Sequence, residues 1–210
     1  MRKDGPVEIV DDGDWQEVTD STVYTFIGQI VSDFALLEAL LSDAIAKVSG
    51  VDRTVADLII GRMDARGRTD RLKSLLQIEG RERDLIILRA ASKTIASVQD
   101  VRNDLAHGLL LGALKGNGEE SYGFTVPHKA YLGDKGHVII PVVAYTLKSL
   151  EREAERLIRV KGLTFDLVQR LASRRKWRKS RRELPDSPRP PNPQRTTRKK
   201  HPTPPQPSEA

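Results

Sequence analysis

Arg102, Asn103 and His107 fall within the six residues Arg-Asn-Asp-Leu-Ala-His. Histidine titrates near neutrality and can take or give a proton. Arginine stays charged, and its forked donors match the oxygens of a phosphate. Together they suit cleavage of RNA by its own 2′-OH. That reaction wants a base at the 2′-OH, an acid at the 5′-oxygen and positive charge on the phosphoryl oxygens, and it needs no metal. DNA lacks the 2′-OH, so these groups point to RNA. One chain offers one such histidine, whereas the reaction uses both a base and an acid. A two-fold dimer would offer two.

The residues sit at the end of a helical pattern. "RERDLIILRAASKTIASVQDVRNDLAHG" has an apolar line through Ile87, Ala91, Ile95, Val98 and Leu105 and stops near Gly108. At about 100° per residue, Asn103 and His107 share one face, roughly opposite that line. Arg102 borders the line at about 60° from it and stands about 140° from His107. The two converge either because the arginine reaches round the helix or because a second chain completes the site. An unpaired charge beside a buried stripe is costly, so Arg102 calls for an anionic partner. His107, just before Gly108, sits where the helix dipole favours a cation.

Other elements must hold that helix. "STVYTFIGQIVSDFALLEALLSDAIAKVSG" starts at the capping residues Asp20, Ser21 and Thr22 and ends at Gly50. Val23, Phe26, Ile27, Ile30, Phe34, Leu37, Leu41 and Ile45 recur every three or four residues, which predicts a long amphipathic helix. A short helix or turn follows, capped by Asp52 or Thr54. A third helix has Leu72, Leu75, Leu76 and Ile78 as its apolar residues and Gly80 as terminator. After Gly108, the turn signals Gly116-Asn117-Gly118 and Gly133-Asp134-Lys135-Gly136 separate β-rich runs, predicting two or three short antiparallel strands. A final helix begins near Ala144, with a bend or break expected at Gly162.

The expected fold is thus mainly α. Residues 1–19 form an irregular acidic N-terminus. Residues 20–175 form a helical bundle, with a short antiparallel β insertion (109–142) between the last two long helices. Residues 176–210 form a disordered basic tail. That tail holds most of the prolines and too little apolar surface to offset the entropy of ordering it. From Arg174 onward there are about twelve Lys and Arg against three Asp and Glu, a net of about +9. The chain as a whole carries +6, so the remainder is mildly acidic. The basic run with its one tryptophan suits phosphate contacts and base stacking on single-stranded RNA, through Arg174, Arg175, Lys176, Trp177, Arg178, Lys179, Arg181 and Arg182. The same run would also serve as a solubilising end to the last helix.

No run approaches the roughly 18 apolar residues of a membrane span, and no signal peptide is expected. The chain has no cysteine, which excludes disulfides and thiolate metal sites. A cytoplasmic protein without metal or other cofactor is expected. No phosphate-cradling glycine loop, nucleophile elbow or zinc-protease motif is present.

"RNDLAH" resembles the R-x4-6-H signature of the HEPN superfamily, in which a polar residue, often Asn, follows the arginine. "FALLEALL", Phe34 to Leu41, resembles the F-x-x-L-E-x-x-L pattern that an earlier long helix of that family often carries. The resemblance spans about residues 20–175. It implies a small helical bundle acting as a homodimer. It also implies a metal-independent endoribonuclease, often a toxin or defence effector, with Arg102 and His107 as the catalytic pair and Asn103 as the accompanying polar residue. An antitoxin or nucleotidyltransferase partner is implied by the same resemblance. Other members of the family are inactive binding modules, so a non-catalytic RNA-binding or protein-partner role stays open. So does a structural bundle in which the signature is coincidence.

Glu38, inside the first pattern, is a candidate to orient Arg102 or His107; a solvated charge or a salt-bridge partner is the commoner role for such a residue. Asp33 and Asp43 lie on the same helix. His128 and His137 lack the spacing of paired metal ligands and read as surface histidines, and His201 as incidental. "GRMDARGR", Gly61 to Arg68, reads as a solvated basic loop.

Overall fold

The computed structural model describes residues 7–8, 15–116, 119–132 and 138–183. Five helices pack together: α1 (Ser21–Ser49), α2 (Arg53–Ile60), α3 (Ala65–Ile78), α4 (Glu82–His107) and α5 (Leu147–Glu183). Six short strands accompany them: β1 (Val7–Glu8), β2 (Leu109–Gly116), β3 (Glu119–Thr125), β4 (Tyr131–Leu132), β5 (Val138–Ile139) and β6 (Val142–Thr146).

The helices begin where their caps say they should. The side chains of Asp20, Asp52 and Asp64 accept from the amides of Thr22, Thr54 and Gly67, each at 2.8 Å. Each satisfies one of the four amides that a helix start leaves unpaired. Gly50 ends α1 at φ +76, a left-handed backbone that glycine alone adopts without a side-chain clash.

α1 is the centre of the bundle and touches all four other helices. Val23, Ile30, Phe34, Leu37, Leu41 and Ile45 are buried on it, as its periodicity predicts. Each large side chain removed from water contributes about 1.5–3 kcal/mol. α1 is also the one described helix long and apolar enough to cross a membrane, with a hydropathy of 1.4 over its most apolar stretch. That corrects the expectation that no run comes near a span. Its apolar line is spent on the bundle.

Elsewhere the apolar lines shift. On α4 the buried residues are Leu85, Leu88, Ala91, Ile95, Val98 and Leu105. Ile87, expected in that line, is only half-buried. Ile78, expected to pack, is 79% exposed at the last turn of α3, where the chain turns away. "GRMDARGR" is not a free loop. Its second half opens α3, and Arg68 is half-buried, donating to the Glu38 carbonyl at 2.9 Å and the Ser42 hydroxyl at 3.0 Å. Ion pairs tie helix to helix, Lys161 to Asp33 at 2.6 Å and Arg170 to the buried Asp84 at 3.0 Å, while Arg81 at the start of α4 pairs locally with the same Asp84 at 2.9 Å.

α5 passes through Gly162 without a break. No heavy atom lies within 4 Å of where a Cβ would stand there, so this is a solvent-side glycine, tolerated at a cost of about 1 kcal/mol. The helix continues to Glu183, so residues 176–183 of the expected tail are helical.

The insertion is larger than two or three lone strands. β2, β3 and β6 form an antiparallel sheet with β1 on its edge, in the order β1-β6-β3-β2, and β4 pairs with β5. The expected irregular N-terminus is therefore partly built into the sheet: Val7 pairs with Ala144, and Gln16 bridges Ala113. The ring of Trp15 lies where a side chain on Gly123 would stand, 2.1 Å from such a Cβ. Only glycine permits that approach. Tyr122, Phe124, Val143 and Tyr145 are buried, and the rings of Phe124 and Tyr145 meet edge to face at 6.0 Å.

Candidate functional site

Arg102 and His107 meet within one chain. Nη1 of Arg102 stands 3.4 Å from Nε2 of His107 and 3.1 Å from Oδ1 of Asn103. The angle between the two positions on the helix is bridged by the length of the arginine. An arginine has only donors, so a hydrogen bond between the two would use a lone pair on the His107 nitrogen. The guanidinium carbon lies 5.7 Å from the centre of the Phe34 ring on α1, a cation–π distance. The "FALLEALL" stretch thus reaches the site through its phenylalanine. Glu38 does not join it; its backbone carbonyl serves Arg68 instead.

Arg102 is half-buried, and its Nε is buried with no hydrogen-bond partner. No carboxylate pairs with it among the described residues. A guanidinium without a carboxylate partner favours an incoming anion.

The sheet brings a second group to the same place. Gly108 joins α4 directly to β2, and Leu109 pairs with Thr125 of β3. Continuing that register past both strand ends sets position 107 against the residues that follow β3. There a single 3-10 turn, Pro127–Lys129, carries His128. Its ring centre is 6.4 Å from that of His107, edge to face.

Asp104, inside the "RNDLAH" stretch, anchors this turn. It is 1% exposed. Tyr145 of β6 donates its hydroxyl to Oδ2 at 2.7 Å. Nζ of Lys129 lies 2.8 Å from the carboxylate, and Nε2 of His128 lies 3.1 Å from Oδ1. The approaches to Oδ1 are ion-pair contacts rather than aligned hydrogen bonds. Burial, and then the bond to Asp104, push the Tyr145 phenol far above its ordinary range. It stays a donor at any physiological pH.

Gly108 makes the junction close. A Cβ there would stand 2.3 Å from the carbonyl oxygen of Asp104 and 2.6 Å from that of Thr125. Both are backbone atoms that cannot swing aside. The smallness of this residue lets the helix end and the strand end come near enough for the two imidazoles to face each other.

No family model, curated protein or solved structure matches this chain. The geometry must carry the functional reading by itself.

Sequence reasoning found Arg102, Asn103 and His107, which the structure brings together. It read His128 as a surface histidine, and His128 is exposed; it did not single out Lys129, Asp104 or Tyr145 as part of a site. One signal was present: a carboxylate beside a buried line needs cations, and the insertion offers a His-Lys pair. The basic residues from Arg174 to Arg182 lie on the far end of α5, where side chains fall outside the described residues. His137 and His201 fall outside them as well. Among the described residues no three His, Asp and Glu side chains group so as to hold a metal ion. The hollow lined by Asp20, Phe26, Glu120, Tyr122, Lys148 and Glu151 includes none of the "RNDLAH" side chains.

Proposed function

We propose that the protein is a metal-independent endoribonuclease of HEPN type, cleaving RNA by attack of the 2′-OH on the adjacent phosphorus. One observation carries this reading: a half-buried arginine without a carboxylate partner, its Nε unsatisfied, in contact with a solvent-facing histidine. Arg102 receives the phosphoryl oxygens through its donor fork. His107 is the proton-transfer group beside it. Asn103 holds the arginine through its side-chain oxygen. The basic end of α5, Arg174 to Arg182, would add sequence-independent contacts to the RNA backbone. A homodimer, an antitoxin or nucleotidyltransferase partner, and a role in defence belong to the same proposal and rest on the resemblance alone.

The test is cleavage of RNA in EDTA. Arg102→Ala and His107→Ala should each lower the rate by roughly 10²–10⁴-fold. His107 is exposed, so its loss leaves the fold intact. RNA binding without cleavage by the wild type would favour the non-catalytic module of the same fold. Equal cleavage by wild type and a folded His107→Ala variant would remove this site from the reaction.

A further inference from the structure

In-line cleavage of RNA needs two proton transfers, and the chain holds two histidines at one site. We propose that His128 is the second proton-transfer group, so that His107 and His128 of a single chain face one phosphodiester from two sides. This rests on the ribonuclease reading and deepens it.

Four observations support the pairing. The ring centres are 6.4 Å apart, a gap within which each imidazole can reach a different oxygen of one phosphate by a hydrogen bond of about 2.8 Å. The cationic fork of Arg102 stands beside His107 at 3.4 Å, so positive charge is in place for the phosphoryl oxygens. The two rings come from different elements, α4 and the turn after β3, so they approach a substrate from different directions. Finally, the position of His128 is built. Its Nε2 lies in ion-pair contact with Asp104 Oδ1 at 3.1 Å, which holds the ring beside that carboxylate. Asp104 is in turn fixed by the Tyr145 hydroxyl and by Lys129. Asp104 and Tyr145 are positioning residues: His128 is exposed but held against the Asp104 carboxylate.

The step balances as follows. One imidazole takes the proton of the 2′-OH as O2′ bonds to phosphorus. The other gives a proton to O5′ as the P–O5′ bond breaks. The products are a 2′,3′-cyclic phosphate and a 5′-hydroxyl, with no net gain or loss of protons. No second chain is needed to supply the acid or the base.

Three measurements on the full-length protein test this. First, uridine 3′-monophosphate should shift the ring resonances of both His107 and His128 in an NMR titration; a shift at His107 alone overturns the proposal. Second, His128→Ala and His128→Gln should each cut an oligoribonucleotide roughly 10²–10⁴-fold more slowly than wild type while binding it equally. A substrate with sulfur in place of the bridging 5′-oxygen has a leaving group that needs no acid. On it, whichever of His107→Ala and His128→Ala lacks the acid should regain most of the wild-type rate, and failure to rescue either overturns the assignment. Third, wild type mixed with an equal amount of His107→Ala under subunit exchange should show about half the unmixed wild-type activity per total protein, because independent sites add. A fall towards one quarter would mean that the second histidine comes from a partner chain. An inactive wild type removes the ribonuclease reading and the role of His128 with it. An active wild type with an equally active His128→Ala removes only the role of His128.

Discussion

The helical bundle and the sheet beside it both contribute to the Arg102–His107–His128 cluster, by different physical routes. Within α4, helical rise alone places Asn103 and His107 on one face, and the reach of the arginine does the rest. Phe34 supplies the floor from α1. These are local or helix-to-helix relations, held by a buried core. His128 is placed by strand register, by one glycine that lets two backbones nearly touch, and by a carboxylate gripped from two strand-side residues. The bundle is held mostly by apolar area, and the seam by a few directed contacts. Damage to the first should appear as lost stability, and damage to the second as lost chemistry.

Leu37→Ala should break the bundle side most severely. Leu37 is fully buried on α1, and such truncations cost about 2–5 kcal/mol. Chemical denaturation should show that loss, while cleavage per folded molecule stays near wild type. A cleavage loss as large as that of His107→Ala would mean that core and site are not separable.

Gly108→Ala should break the seam. Its Cβ would press on the carbonyls of Asp104 and Thr125 and drive the helix end from the strand end. A displacement of about 1 Å at a reacting group can cost about 10²-fold in rate. Cleavage should fall by that order, with a smaller change in the denaturation midpoint than Leu37→Ala produces. Unchanged cleavage would show that the spacing of the two imidazoles is not set at this glycine.

The smallest effect sharpens the contrast by touching the bundle alone. The Asp64 carboxyl lies below its ordinary range, first because the Gly67 amide donates to it, then because Gln99 does. A group lowered in the folded state stabilises above its unfolded value, about 4, and that contribution fades as pH falls through the lower, folded value. Asp64→Ala should therefore lose about 1 kcal/mol at neutral pH, and the two stabilities should converge below about pH 4. A gap that persists in acid would mean that the carboxylate is not its source.

Much of the bundle was legible in the sequence, because helix periodicity and capping are local signals. The buried line of α1 and the caps at Asp20 and Asp52 follow from residue spacing. The line on α4 slipped from Leu85 and Leu88 to Ile87, since neighbouring apolar residues leave the face undecided until α5 and α3 are in place. Gly162 read as a break, but a single exposed glycine costs less than α5 gains by packing. Arg102, Asn103 and His107 were visible as a motif. His128 was not, because its place depends on the exact register of the β2–β3 hairpin and on a turn that local sequence does not specify. Asp104 was hidden for a related reason: a buried carboxylate declares itself only once its cations are brought to it.

The pairing of Val7 with Ala144, and of Gln16 with Ala113, joins positions separated by much of the chain. Contacts of that span form late, because the loop they close must be ordered first. The pairs of α3 with α4 and of α1 with α2 can form from neighbouring segments, whereas Tyr145 and the strand that carries it must arrive before Asp104 has its grip on the His128 turn. During synthesis, then, the helix bearing Arg102 and His107 emerges well before the strand that secures their companion. The cluster becomes complete only once β6 has been made, just ahead of α5.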